Sequence, residues 1–221
     1  MVAPLTQGEP SREFLQIIEG EIRDTESNVS AGRMSALIVQ VGRVADAGEH
    51  LSDVMDGESS ELGAYHAAFF NPHDCDYKDS IRRQFVDIYG LDLLIINHVE
   101  IEPALRKRGL GLLVVSRTID VFGENCGLIA IKPFPLQFRN YLDPGWLPPD
   151  GVEDPKTAFL AAMRKLRNHW DRAGFKRVNG TDYFALSPAT KRPRLKRVRS
   201  AVDKWDLEAE KGPAVQPPCP R

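Results

Sequence analysis

Residues 91–101, LDLLIINHVEI, form an almost unbroken apolar run closed by Pro103, and residues 127–131, GLIAI, form a second. Between them stands Gly109-Leu110-Gly111, immediately preceded by Arg106, Lys107 and Arg108. After the glycines, Leu112, Val115, Ile119 and Phe122 recur at helical spacing, with Arg117, Asp120 and Glu124 on the other side. A short apolar run without polar alternation is the pattern of a buried strand. Strand, glycine corner, helix and strand make a βαβ unit, whose crossover sets its two strands parallel. This restricts the fold to an α/β type.

The rest of the chain is read around that unit. FLQIIEGEIRD (14–24) and GRMSALIVQVGRV (32–44) are rich in Ile and Val and flank a polar stretch, the pattern of a β-hairpin. An amphipathic helix over 14–22 competes with it, since Phe14, Leu15, Ile18 and Ile22 also share a helical face. EHLSDVMDG (49–57), SSELGAYHAAFF (59–70) with a serine cap, and YKDSIRRQFVD (77–87) predict three short helices. Asp154-Pro155 opens a long helix carrying Phe159, Ala162, Met163, Leu166, Trp170 and Ala173 on one face and stopping at Gly174. FKRV and DYFAL, joined through Asn179-Gly180, predict a last hairpin. The expectation is one domain over 1–188, followed by a basic, proline-rich tail over 189–221 with little core of its own.

Composition removes several classes of function. A formal charge of −2 over 221 residues provides no global field for nucleic acid or an anionic membrane. The run Lys191–Arg199 is the local exception. It holds six basic residues and no acid, and taking those six from 29 leaves 23 basic against 31 acidic residues, a body at −8. Such a tail touches nucleic acid or an acidic partner, folds back on the acidic body, or is simply solvated. Cys75, Cys126 and Cys219 show neither a disulfide framework nor zinc spacing, and HDCD (73–76) lacks the spaced ligands of a zinc site. The opening residues lack a signal-peptide pattern and no stretch has the length of a membrane span, so a soluble, cytoplasmic protein is expected.

Glycines at a strand-to-helix corner let backbone N–H groups converge with no Cβ in the way, and the new helix adds the positive end of its dipole. With Arg106, Lys107 and Arg108 beside them, they form a cradle for a phosphate-bearing ligand. The competing reading has the glycines serving tight packing and the basic residues solvated. A dinucleotide fingerprint is excluded by Val114 and Lys132, which stand where a small and an acidic residue are needed. A P-loop is excluded by Leu112-Leu113, where Lys-Ser/Thr is required.

Arg106-Lys107-Arg108-Gly109-Leu110-Gly111 resembles the coenzyme A signature Arg/Gln-x-x-Gly-x-Gly/Ala of the GNAT acetyltransferase superfamily. LLIINHVEIEP is similar to the superfamily's fourth strand with its terminal Val/Ile-x-Pro, GLIAI to its fifth, and LRNHWDRAGF to the helix ending in the Gly-Phe that opens the sixth. The resemblance covers 91–187; residues 1–90 depart from it, because the hairpin precedes the helices and a third helix intervenes. It implies an α+β fold with a mixed, mostly antiparallel sheet flanked by helices, in which the fourth and fifth strands run parallel and then splay. It also implies acetyl-CoA as cofactor, with its pantetheine arm in the gap against Val99, Glu100 and Ile101. The diphosphate would rest on Arg106, Lys107, Arg108, Gly109, Leu110 and Gly111.

The activity so implied is acetyl transfer to an amine of a small molecule or protein, with a backbone amide near 99–101 polarising the thioester carbonyl. Glu100, then His98, are the candidate bases, alternating onto one strand face with Asn97 on the other unless a bulge exchanges them. Where the family usually has a tyrosine acid, four residues before the glycine of Gly-Phe, stands Trp170, whose indole is no acid near neutrality. Tyr141 on the aromatic, proline-rich segment 133–149 is the substitute by chemistry, and that segment is expected to cover the acceptor mouth. A dimer is compatible with all of this. The alternative is an idle acyl-CoA-binding module that docks on a partner through its basic tail.

Overall fold

The computed structural model describes residues 10–23, 28–138 and 154–193. Six strands form one open mixed sheet: β1 (Leu15–Arg23), β2 (Ser30–Val39), β3 (Asp92–Ile101), β4 (Cys126–Ile131), β5 (Lys176–Arg177) and β6 (Phe184–Leu186), in the order β1-β2-β3-β4-β6-β5. All neighbours are antiparallel except β3 and β4, which are parallel. The βαβ reading therefore holds, with α5 (Leu110–Phe122) as its crossover. The hairpin at the start is also present, so the helical alternative for 14–22 falls to the pairing of Leu15–Arg23 with β2. No helix among the described residues is long and apolar enough to cross a membrane.

Period-two alternation divides the core into two layers. Leu93 and Ile95 of β3 join Leu37, Leu128 and Ala130 beneath α1 (Val41–Ala47), α2 (Leu51–Glu58), α3 (Ser60–Phe69) and α4 (Asp79–Gln84). Leu94 and Ile96 join Ile38, Ile129 and Ile131 beneath α5 and α6 (Pro155–Arg172) on the other face. Residues 93–96 are buried on both sides, the physical reason for their uninterrupted apolarity. Ser59 caps α3 through Leu62 N–H at 3.2 Å, and Asp154 caps α6 through Lys156 N–H at 3.1 Å.

The strand expected over 32–44 ends earlier, at Val39, and the chain turns at once into α1. Gln40 at the helix start makes no side-chain cap; instead the Asp92 carboxylate of β3 accepts the Gly42 N–H at 3.0 Å. Val41 and Val44, both fully buried, lock the turn onto the sheet. This cap comes from fifty residues away, and burial raises the Asp92 carboxyl above the usual carboxylate range. Asp92→Ala should cost about 1 kcal/mol of stability, read as a drop of about 2–4 °C in the thermal midpoint; an unchanged midpoint would mean that α1 needs no cap.

Candidate functional site

The parallel pair is short. Asp92 pairs with Cys126, Leu93 with Leu128, Leu94 with Ile129 and Ile95 with Ala130, and there the contact stops. Strand β3 runs on to Ile101 beside β2 alone, so, among the described residues, 96–101 have no strand partner on the β4 side. The two strands fork, leaving an edge inside the sheet where an extended ligand finds main-chain donors and acceptors.

At the root of the fork the β2–β3 register slips: Ala36 faces Ile96 but Ser35 faces His98, so Asn97 is an extra, bulged residue. The expectation that Asn97 lies opposite His98 and Glu100 is corrected by this bulge. Asn97 lines a cleft on the α2–α3 side together with Ser35, and His98 and Glu100 follow on that same face, whereas Val99 packs into the α5–α6 core.

Beyond Ile101 a single 3₁₀ turn, Pro103–Leu105, leads into the glycine corner. Lys107 (φ 67°) and Gly109 (φ 85°) are both left-handed, and Gly109 is followed by the right-handed first turn of α5. A left-handed residue before a right-handed one aims successive N–H groups into one concavity. Among the described residues, the amides of Lys107, Gly109, Leu110 and Gly111 donate to no protein acceptor, whereas those of Leu112 and Leu113 bond back to the Gly109 carbonyl at 3.1 and 3.2 Å. Among the described residues, a Cβ built on Gly111 would meet nothing closer than Ile101 Cγ1 at 4.0 Å, so the space above this glycine is open there. Arg106 and Lys107 are exposed and Arg108 is half-buried; Arg106 Nε also donates to the Ile101 carbonyl at 2.8 Å, tying the turn to the strand end.

The two candidate bases form a linked group. Glu100 Oε2 accepts from Arg33 Nε at 2.9 Å and lies 3.3 Å from His98 Nε2. The Arg33 hydrogen bond, and after it that of His98, hold the Glu100 carboxyl below the usual carboxylate range. Arg33 was not singled out in the sequence, because only the strand register places it opposite Glu100.

The cleft beside Asn97, about 260 Å³, has Ile17, Leu37 and Tyr65 among its walls and three carboxylates, Glu19, Glu58 and Glu61, against one guanidinium, Arg12. Glu58 is paired with Arg12 at 3.2 Å; Glu19 and Glu61 have no ion-pair partner among the described residues. Sequence reading missed this cleft, since its carboxylates come from β1, the end of α2 and the start of α3, which only the fold assembles. Tyr65 is buried at its floor with its ring 4.5 Å from that of Tyr183, and burial foremost, then Glu61, pushes its hydroxyl pKa upward. The Lys132 ammonium sits 5.6 Å over the Tyr183 ring.

Trp170 is buried in the α5–α6 core, edge-on to Phe175 at 5.8 Å, and among the described residues its indole N–H has no hydrogen-bond partner. Tyr141 and Trp146 lie outside the described residues; Phe134 and Phe138, at the start of that segment, pack on Phe159 of α6 at 5.8 and 5.5 Å. In HDCD, Asp76 accepts from the Tyr77 N–H at 2.8 Å and pairs with Arg82, a turn held by its own side chains. Of the basic tail, Arg192 donates to the Ser116 carbonyl at 3.1 Å and pairs with Asp120 on α5; residues 194–221 lie outside the described set. Comparison of the chain with models of protein families, with curated proteins and with solved structures finds no match.

Proposed function

We propose that this chain is an acyl-CoA-dependent N-acetyltransferase. The observation that carries the reading is the row of amides at Lys107, Gly109, Leu110 and Gly111 that are open among the described residues, placed at the end of a strand whose edge beyond Ile95 has no described strand partner on the β4 side. Acetyl-CoA would supply an activated acyl group. The chain's own part is mostly backbone: the amides at 107–111 hold the diphosphate, the unpaired edge of β3 aligns the pantetheine arm, and an amide near Val99 to Ile101 meets the charge that develops on the carbonyl oxygen.

The acceptor enters by the cleft at Asn97. Its unpaired Glu19 and Glu61 favour an amine with more than one positive charge, small or part of a basic peptide. Calorimetry with CoA and acetyl-CoA, followed by thiol release with an amine panel, tests the reading; absence of measurable CoA affinity would end it. The double variant Glu19→Gln, Glu61→Gln should raise KM for a dicationic amine about tenfold, or about 1.4 kcal/mol, with kcat little changed. That effect should shrink as salt is added.

A second reading has one observation in its favour: Trp170, buried and unable to give up a proton, stands where the resembled family places its acid. In that case the protein binds acyl-CoA without turnover and docks through its basic tail. Deleting the tail from residue 194 would then abolish partner capture while leaving CoA affinity intact.

A further inference from the structure

Resting on the acetyltransferase reading, we infer that His98 is the proton acceptor and that Glu100, clamped by Arg33, is a positioning residue rather than the base. The argument begins with what each group already does. A carboxylate that accepts from a guanidinium at 2.9 Å through both Nε and a terminal nitrogen is a satisfied anion. Proton uptake by it would break those contacts, and its affinity for protons is lowered accordingly. The better-ranked base from sequence is thus the poorer one in the fold.

The same Glu100 oxygen lies 3.3 Å from His98 Nε2. An anion at that nitrogen favours the tautomer with hydrogen on Nε2, which leaves the lone pair on Nδ1. Among the described residues Nδ1 has no hydrogen-bond partner. The imidazole is mostly covered, with its side chain 19% exposed, and it sits directly after the bulged Asn97 where β3 leaves β4. Other groups on this side of the sheet are Arg33 and Ser35 on β2, Glu19 beyond them on β1, and, around the cleft, Glu58 and Glu61 from α2 and α3 with Arg12 paired to Glu58.

The chemistry balances without a further reagent. One proton of the acceptor's ammonium passes to Nδ1, and the freed nitrogen pair forms the C–N bond as the C–S bond breaks with its electrons on sulfur. A second nitrogen proton then neutralises the sulfur, and the imidazolium releases its proton to solvent. Glu100 keeps the imidazole oriented throughout and stabilises its charged form.

Two measurements test this together. In nitrogen NMR of the histidine rings, wild-type His98 should be the Nε2–H tautomer, and Glu100→Gln should increase the Nδ1–H fraction. This readout requires neither cofactor nor turnover. In kinetics, His98→Gln should lower kcat about 10²–10³-fold and remove the ascending limb of the pH–rate profile. Glu100→Gln should cost about tenfold and keep an ascending limb, with CoA affinity unchanged in both. An Nδ1–H tautomer in the wild type overturns the proposal whatever the activity. So does a profile whose limb survives His98→Gln and vanishes in Glu100→Gln. A wild type that binds no CoA, or binds it yet acetylates no amine, removes the enzyme reading and the base with it, and the tautomer then reports only how Glu100 orients the ring; a wild type that turns over but shows the Nδ1–H tautomer removes the base alone.

Discussion

Gly111→Glu is expected to leave the protein as stable as the wild type, or slightly more so, while CoA affinity falls at least a hundredfold. Gly111 is the second residue of α5, and among the described residues outside its own helix turn a Cβ there would meet only Ile101 Cγ1, at 4.0 Å. Replacing glycine in a helix gains about 0.5–1 kcal/mol, and an acid in the first turn gains about 0.3–1 kcal/mol from the helix dipole. The thermal midpoint should therefore rise by about 2–4 °C. A diphosphate on these amides would lose charge-assisted hydrogen bonds of about 1.5–3 kcal/mol each and face a carboxylate besides. Gly111→Ala separates bulk from charge. A Gly111→Glu protein that melts early but keeps its affinity would show that the glycine serves packing and that the diphosphate lies elsewhere.

The largest effect on stability is expected one strand away. Gly127→Ala should destabilise the fold by about 3 kcal/mol, lowering the thermal midpoint by about 6–12 °C. A Cβ there would lie 2.2 Å from the Gly90 carbonyl oxygen and 2.9 Å from Ile88 Cγ2. The facing glycine is equally crowded, since a Cβ on Gly90 would lie 2.5 Å from the Asn125 carbonyl oxygen and 2.9 Å from the Gly127 nitrogen. Gly127 is also skipped in the pairing, where Asp92 faces Cys126 and Leu93 faces Leu128. It is thus the irregularity that sets the register with which β3 and β4 begin side by side. A midpoint within about 2 °C of the wild type would show that the backbone relaxes there at no cost. Denaturant unfolding of the same variant separates lost stability from a changed unfolded state.

What was legible from the residues was whatever local chemistry determines. The buried parallel pair shows as two apolar runs, α6 shows its Asp154-Pro155 start, and the corner shows its glycines and cations. What depends on partners far along the chain was not legible. Helix α1 is capped by Asp92 from another element, so its start carries no cap signal of its own. The bulge at Asn97 is a matter of pairing against β2, and an isolated strand sequence cannot reveal which residue its neighbour skips. Arg33 and the carboxylates of the cleft are scattered over β1, β2, α2 and α3, and they acquire a shared meaning only through register. The engagement of Glu100 was hidden for the same reason: residue type alone favours it as a base, and the guanidinium that occupies it stands 67 residues away.

The four residue pairs that join β3 to β4 carry a mechanical consequence. They act as the spine of a two-leaf book, with β1, β2 and β3 in one leaf and β4, β6 and β5 in the other. Above that spine, among the described residues, no strand pairing links β3 to β4. A thioester laid into the opening would bind both pages at once, so occupancy should slow amide hydrogen exchange in β6 as well as in β3, although only one of them touches the guest.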